Sequence, residues 1–395
     1  RADDGGKLGA SGSLEVDAKI LFERKNDIVS SLVGGIERLV KKRKIELVRG
    51  TGALAGGGAI EVEGKGTILG KKVLVATGSS EVELPGLEFD GERILSSREI
   101  LDLGRIPESL VVVGGGVIGC EFASIMGAFG AKVTVVEMLP RIIATEDAQI
   151  SRYLQNFLKK RGVEFRLGAK VSEAEAKEDS VLCRLESGVE IEAECVLVSV
   201  GRRPNLDGAG LDRAGVKYGK VGIEVNGRME TNVDGIYAAG DVVGGLMLAH
   251  VATREGVTAA GNALGQPAEV RYEAMPNTIY TLPEVSRVGL TEEEAREKGL
   301  EIVTGRFPFA ANGKAKGLGE EEGFVKWVAS KGEGRLFGLH IIGPQATELI
   351  ASGVLAVEQG MTAKEYAKAV LPHPTLSEAL AEAAEAIHGT SIHQQ

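Results

Sequence analysis

Three glycines and one acid in the middle of the chain have the types and spacing that bind a dinucleotide. Gly114, Gly116 and Gly119 form the pattern G-x-G-x-x-G, and Glu137 follows about 20 residues later. The first glycine permits a tight turn, the second lets the backbone approach a pyrophosphate, and the third lets a helix pack close to a sheet. The acid can accept hydrogen bonds from a ribose diol and repels a 2′-phosphate, so the residues predict NAD rather than NADP. Arg141, four residues further on, weakens this preference.

The residues around the glycines predict the elements that such a site requires. An apolar run at residues 110–113 ends at Gly114, and a helix-forming stretch covers residues 120–129. A second apolar run at residues 133–136 ends at Glu137. The N-terminus of the helix would offer N–H groups and a partial positive charge to the pyrophosphate. Strand, turn, helix, strand and acid together predict a Rossmann-like unit.

A second candidate site contains a histidine between two prolines. Pro372 and Pro374 restrict the backbone of His373, and Glu378 follows five residues later at the start of a helix-forming stretch. A carboxylate that accepts from one imidazole nitrogen fixes the tautomer and leaves the other nitrogen for acid–base catalysis. The residues alone slightly favour the alternative, a histidine in an exposed proline loop without a catalytic role. No histidine shows metal-ligand spacing, so no metal site is predicted.

Two further segments could contact the hydroxyl groups of a cofactor. Asp241 follows a predicted short buried strand, and it could bind a sugar or ribityl hydroxyl or simply cap a helix. Thr77, Gly78 and Ser79 follow a predicted strand at residues 72–76, and they could form only a turn.

The composition indicates a globular protein of two or three domains. The hydrophobic share of 43% and the charged share of 26% are typical of a globular protein. With 395 residues, the chain is too long for one ordinary core. A net charge of −10 argues against nucleic-acid binding, no apolar stretch approaches the ~20 residues of a membrane span, and no signal-peptide pattern is visible. The cysteines Cys120, Cys183 and Cys195 are isolated, which favours a reducing compartment and, for Cys120, a packing role.

Seven segments, in order along the chain, resemble the flavin-dependent pyridine nucleotide–disulfide oxidoreductases, and most closely their dihydrolipoamide dehydrogenase branch. The segments are residues 76–79, 114–121, 201–205, 231–241, 247–250, 279–284 and 373–378. The resemblance implies an α/β fold in which a Rossmann-like NAD domain (109–201) is inserted in an incomplete FAD domain (1–108 and 202–270). A C-terminal α+β dimerisation domain would cover 271–395.

The resemblance also implies the roles of individual residues. His373, paired with Glu378, would be the acid–base that exchanges protons with a dithiol. The NAD contacts would be Gly114, Gly115, Gly116, Val117, Ile118, Gly119, Cys120, Glu121, Glu137, Val171 and Gly201. The FAD contacts would be Gly52, Thr77, Gly78, Ser79, Asp241, Met247, Leu248, Ala249 and His250.

The expected activity passes electrons from a dihydrolipoyl dithiol through a redox disulfide and FAD to NAD. We expect a homodimer that serves lipoyl domains of 2-oxoacid dehydrogenase complexes in the cytoplasm or, alternatively, the mitochondrial matrix. The family's first glycine fingerprint and its C-x-x-x-x-C disulfide do not occur in these residues. We therefore expect an N-terminally truncated chain that is inactive alone. The alternatives are another disulfide oxidoreductase of the family and a non-catalytic chain that binds NAD or dimerises.

Overall fold

The computed structural model describes residues 16–393. Residues 1–15 and 394–395, which the sequence assigns to the first and the last predicted domain, lie outside the described residues. None of the helices in the described part has the length and apolar content that crossing a bilayer needs.

The described residues form helices and strands throughout. The helices are α1 (Ala18–Lys42), α2 (Ser97–Leu101), α3 (Val117–Ala128), α4 (Ala148–Lys160), α5 (Leu211–Ala214), α6 (Ala249–Ala263), α7 (Glu292–Glu297), α8 (Gly313–Leu318), α9 (Ala346–Glu358), α10 (Ala363–Ala367) and α11 (Glu378–Ala386). The strands are β1 (Gly52–Gly56), β2 (Ala59–Val62), β3 (Gly66–Leu69), β4 (Val73–Val75), β5 (Ser79–Glu81), β6 (Ile94–Leu95), β7 (Ser109–Val113), β8 (Lys132–Glu137), β9 (Glu164–Leu167), β10 (Val171–Ala176), β11 (Val181–Leu185), β12 (Glu190–Ala193), β13 (Cys195–Val198), β14 (Arg202–Pro204), β15 (Tyr218–Gly219), β16 (Gly222–Ile223), β17 (Ile236–Ala238), β18 (Asn277–Ile279), β19 (Glu284–Gly289), β20 (Ile302–Pro308), β21 (Phe324–Ser330) and β22 (Leu336–Gly343).

A five-stranded parallel sheet in the order β6–β13–β7–β8–β9 carries the glycine pattern. Leu110 and Val112 of β7 belong to the apolar core that includes α3 and α4. Val111 and Val113 point to the opposite face and join a core with the antiparallel sheet β10–β11–β12. Burial on both faces explains the unbroken apolar run at this strand. The predicted strand–turn–helix–strand unit is confirmed.

The segments before and after this sheet pair with each other. Strand β4 runs parallel to β17, with Val73 opposite Ile236 and Val75 opposite Ala238. Strand β5 runs antiparallel to β14. The Rossmann-like unit is therefore inserted between two halves of one flanking unit, as the resemblance implies. Strand β6 lies before residue 109, where the predicted NAD domain begins, and yet it pairs in the parallel sheet. The predicted domain boundaries therefore stay a prediction.

The remaining elements from β18 to α11 form a second unit, here called the C-terminal unit. Its antiparallel sheet has the order β18–β19–β22–β21–β20. The buried indole of Trp327 donates a hydrogen bond to the Leu380 carbonyl at 2.9 Å, and Leu339 and Ile350 join the same core. This sheet with its packed helices confirms the predicted C-terminal α+β unit.

The Rossmann-like unit and the C-terminal unit share buried surface. Ile279, Val285 and Phe324 belong to the same apolar cluster as the core of the parallel sheet. Lys326, only 1% exposed, donates to Asp147 at 2.8 Å and to Glu292 at 2.6 Å. The start of α4 is thus tied to the C-terminal sheet by a buried ion pair.

Helix α1 has a different character, because most of its apolar side chains are exposed. Among the side chains that the structure describes, none of those on α1 is buried. Leu32 is 65% exposed and Ile36 is 63% exposed. An ion pair of 2.7 Å between Lys25 and Asp102 connects the helix to the loop after α2.

Candidate functional site

At two of the three motif positions in the turn after β7, no residue larger than glycine fits. Gly114 has a φ of 105°, and a Cβ there would lie 2.5 Å from the Ser199 carbonyl oxygen. A Cβ on Gly119 would lie 2.0 Å from the Gly114 carbonyl oxygen, so α3 could not approach the turn with any larger residue. A Cβ on Gly116 would meet nothing within 4 Å. The backbone at Gly116 is therefore open to the close approach of another group.

Helix α3 starts at this turn without a side-chain cap. Gly116 is its N-cap residue and has no side chain with which to bond the N–H groups of the first turn. Val117 and Ile118, both half-buried, form that first turn. A helix N-terminus in this condition favours an anion through its N–H groups and its dipole.

Glu137 lies at the end of β8, beside the turn. One carboxylate oxygen accepts from the Gly115 N–H at 2.6 Å, and the other accepts from the Leu139 N–H at 2.7 Å. The residue is 8% exposed. Each oxygen keeps a second lone pair, so the carboxylate can accept from a ribose hydroxyl while the two backbone bonds fix its orientation.

The other predicted NAD contacts occupy different environments. The thiol of Cys120 is buried and donates to a carbonyl of the glycine turn, and burial raises its pKa to about 12, so it remains protonated and packs. Glu121 accepts from the Tyr280 N–H of the C-terminal unit at 2.8 Å. Val171 is buried in the core at the start of β10. Gly201 has a φ of 131° and open space at its Cβ position, just beyond the end of β13.

The predicted flavin contacts Ser79 and Asp241 come from opposite sides of the inserted unit and meet. The Ser79 hydroxyl donates to the Asp241 carboxylate at 2.5 Å, and the Arg202 Nε donates to the Ser79 hydroxyl at 2.8 Å. Asp241 directly follows the turn after β17, so the pairing of β4 with β17 brings the two residues together.

Thr77 and Gly78 are fixed by one residue that follows β14. The Thr77 hydroxyl donates to the Asn205 carbonyl at 2.7 Å, and the Asn205 N–H donates to the Gly78 carbonyl at 2.9 Å. These bonds hold the turn after β4 in one conformation. Gly52, the least secure of the predicted contacts, lies at the start of β1 in the separate sheet β1–β2–β3.

The segment Met247 to His250 leads into α6. Met247 has a φ of 44°, which is unusual for a residue with a side chain, and Leu248 is the N-cap residue of α6. Ala249 and His250 open the helix and are exposed. The His250 ring is hydrogen-bonded to the carbonyl of Pro276, the residue just before β18, at 2.8 Å, and this bond orients the segment.

The histidine between the prolines is paired as predicted. His373 Nδ1 lies 2.8 Å from a carboxylate oxygen of Glu378, whose other oxygen accepts from the Thr375 N–H at 2.7 Å. The His373 side chain is 81% exposed. Although partial burial alone raises the pKa of Glu378, the Thr375 amide and His373 hold it below its usual value. The exposed loop and the acid–base arrangement, which the sequence left as alternatives, are therefore combined in one segment.

Glu255 is a buried residue beside the predicted flavin contact Asp241, and sequence reasoning missed it. It is 2% exposed, and its carboxylate accepts from the Gly240 N–H and the Tyr272 hydroxyl, both at 2.7 Å. These bonds hold the turn immediately before Asp241. A glutamate in the middle of a helix gives no sequence signal of burial, because most such residues are exposed.

The cysteines and the acidic residues form no redox or metal centre in residues 16–393. Cys120, Cys183 and Cys195 are free and buried, and burial raises the pKa of Cys183 to about 12 as well. The described residues contain no group of three or more His, Cys, Asp or Glu side chains placed to hold a metal ion.

Comparison with known proteins identifies the relatives of this arrangement. Residues 7–256 match the family model described as pyridine nucleotide-disulphide oxidoreductase, and residues 275–384 match that of its dimerisation domain. The mitochondrial dihydrolipoyl dehydrogenase of Pisum sativum is 42% identical over 96% of this chain and 78% of its own length. The dihydrolipoyl dehydrogenase of Thermus scotoductus is also 42% identical, over 98% of this chain and 85% of its own length.

A solved structure agrees with these sequence matches. The crystal structure of LpdA from Mycobacterium tuberculosis superposes with a TM-score of 0.91 at 30% identity, over 97% of this chain and 85% of that one. The two family models together span both the inserted Rossmann-like arrangement and the C-terminal unit. The chain therefore belongs to the pyridine nucleotide-disulphide oxidoreductases, within which the dihydrolipoyl dehydrogenases are enzymes that use FAD and NAD.

Proposed function

We propose that this chain belongs to a dihydrolipoyl dehydrogenase, which oxidises a dihydrolipoyl dithiol to the disulfide and reduces NAD. The observation that carries the proposal is the exposed His373–Glu378 pair, because an acid–base of this kind serves a dithiol substrate. The names of the relatives from Pisum sativum and Thermus scotoductus support the substrate.

The residues present fit both cofactors. For NAD, the open backbone at Gly116 provides a cradle for the pyrophosphate, and Glu137 offers free lone pairs beside it. For FAD, Asp241 and Ser79 lie together at the junction of β4 and β17, where they can bind hydroxyl groups. When bound, FAD supplies the two-electron relay between the dithiol and NAD.

The protein residues then act on protons and on orientation. When His373 Nδ1–H donates to Glu378, the neutral ring presents Nε2 as an acceptor to the solvent side. Nε2 can take a proton from a dithiol, and the resulting imidazolium is stabilised by the Glu378 carboxylate. Per turnover, the dithiol loses two electrons and two protons; NAD gains a hydride and one proton is released through His373.

The partner and the location follow as proposals. The match to the dimerisation domain supports a homodimer. We propose lipoyl domains of 2-oxoacid dehydrogenase complexes as the dithiol donors. A reducing compartment is expected from the three unpaired cysteines, either the cytoplasm or the mitochondrial matrix.

The function is tested with the protein as its gene encodes it, including any residues ahead of Arg1. Replacing His373 with Gln removes the proton acceptor, so NADH formation from dihydrolipoamide should slow by about 100-fold or more. The matched control is His393→Gln, which changes the other histidine paired with a carboxylate of α11, Glu382, and should stay within about twofold of the parent.

Three outcomes separate the alternatives. Turnover of His373→Gln within a few-fold of the parent would refute the acid–base role. Turnover with another dithiol but none with dihydrolipoamide would favour a different member of the family. A colourless protein that gains no flavin absorbance with added FAD would indicate a non-catalytic chain.

A further inference from the structure

Arg141 is held by a residue of the C-terminal unit. Its two terminal nitrogens each donate to one carboxylate oxygen of Glu293, both at 2.9 Å, and one of them also donates to the Ala144 carbonyl. This is the bidentate geometry in which an arginine and a carboxylate bind most strongly. The Arg141 side chain is 32% exposed and that of Glu293 is 45% exposed, so both can be reached by solvent.

The segment that carries Arg141 is part of the dinucleotide site. The Ile143 N–H donates to the Gly115 carbonyl at 2.7 Å, and the Gly115 N–H donates to Glu137. A Cβ on Gly115 would lie 3.1 Å from the Ile142 side chain, which shows how closely the segment covers the turn. Arg141 is thus anchored two residues from a direct contact with the glycine turn.

Arg141 is also the only cationic residue between Glu137 and Asp147. An arginine at this place after the second strand can bind the 2′-phosphate of NADP, whereas Glu137 favours the ribose diol of NAD. Arg141 therefore favours NADP, whereas Glu137 favours NAD. The pairing of Arg141 with Glu293 removes the preference for NADP.

We infer that Glu293 is a specificity-determining residue, which favours NAD by holding Arg141 away from a 2′-phosphate. The inference rests on the proposed dinucleotide site. It assigns part of the coenzyme preference to the C-terminal unit, outside the Rossmann-like unit that binds the dinucleotide.

The test is calorimetric binding of NAD and NADP, which differ only in the 2′-phosphate, at low ionic strength. Glu293→Gln should bind NADP about fivefold more tightly than the parent, because one charge-assisted bond becomes available. Its affinity for NAD should stay within about twofold. Glu297→Gln is the matched control, since this exposed residue of α7 loses the same charge without touching Arg141.

The double variant Arg141→Gln/Glu293→Gln decides the cause. Loss of the NADP gain in the double variant supports the inference. A gain that persists there would attribute the effect to removal of the Glu293 charge alone and would overturn it. Unchanged NADP binding in Glu293→Gln, in a parent that binds NAD, would overturn it too. A parent that binds no NAD would instead refute the proposed site itself.

Discussion

At the scale of single residues, the chemistry depends on carboxylates whose orientation is fixed by backbone N–H groups. Glu137 accepts from Gly115 and Leu139, and Glu378 accepts from Thr375 while holding His373. Glu137 thereby keeps lone pairs for the proposed ribose contact. Glu378 already uses one oxygen to orient the His373 ring.

Replacing Glu137 with Ala should raise the KM for NAD about tenfold and lower kcat by less than threefold, because the lost contact to ribose contributes to uniform binding. Steady-state kinetics with varied NAD measure both constants. The KM of Glu137→Gln for NAD should lie between those of Glu137→Ala and the parent, because glutamine keeps an acceptor oxygen. An unchanged KM would remove Glu137 from the NAD site.

The pH dependence of stability should report the Glu378 carboxylate. Its pKa is held below its ordinary value of 4.5, so ionised Glu378 stabilises the folded state at pH values above 4.5. This contribution is lost as the pH falls through the folded-state pKa. Urea unfolding between pH 6 and pH 3 should therefore show a smaller loss of stability for Glu378→Gln than for the parent. If the stability of the variant and that of the parent fell equally with pH, the lowered pKa of Glu378 would be contradicted.

At the scale of elements, different glycines of the turn after β7 serve helix packing and the proposed binding of a dinucleotide. Gly119 is needed for α3 to approach β7, whereas Gly116 faces open space. These are the two different roles that the motif predicts for its second and third glycines. The structure predicts that their substitution has different consequences.

Gly119→Ala should destabilise the protein by about 2 kcal/mol or more, because its Cβ would overlap the Gly114 carbonyl. Gly116→Ala should leave the unfolding temperature within about 2 °C of the parent and yet weaken NAD binding, because its Cβ would enter the pyrophosphate cradle. Thermal unfolding and NAD calorimetry on both variants test this. Equal destabilisation by the two substitutions would contradict the assignment.

Long periodic elements can be predicted from sequence, whereas β6 and β10 cannot. Residues 148–161 and 346–358 each carry a helical apolar pattern, and α4 and α9 cover them to within one residue. Strand β6 has only two residues, so its place at the edge of the parallel sheet depends on its pairing with β13. Strand β10 consists mainly of exposed charged and small residues and gave no apolar alternation.

The same limit applies to the site. His373 and Glu378 are five residues apart, so local sequence could predict their pairing. Ser79 and Asp241 are 162 residues apart, and only the family resemblance placed them in one site. Glu255 and Glu293 have no local signal, since their roles depend on partners brought by the fold.

At the scale of the whole molecule, ionic contacts join the Rossmann-like unit to the C-terminal unit. Lys326 and Asp147 are 179 residues apart in sequence and almost fully buried. Although burial alone raises the pKa of Asp147, its electrostatic interaction with His340 and the hydrogen bond from Lys326 hold it below the usual value. The contact fixes the start of α4, which directly follows the segment beside the proposed NAD site.

Replacing Lys326 with Met should destabilise the protein by about 3 kcal/mol, because it leaves the buried carboxylate of Asp147 without its cation. Denaturant unfolding gives the free energy. The control is Lys316→Met in the exposed pair with Glu321, which should change stability by less than about 1 kcal/mol. Adding Asp147→Asn to Lys326→Met should recover part of the loss, and a double variant as unstable as the sum of both changes would argue against the pair.

Helix α1 affects how the molecule unfolds. None of the described α1 side chains is fully buried, so few tertiary contacts beyond the Lys25–Asp102 ion pair oppose opening of this helix. Its amide protons should exchange with deuterium well before those of β7 and β21, whose residues are buried on both sides. Unfolding of the chain would then proceed in at least two steps, and a single melting temperature would describe the sheet-containing units without α1.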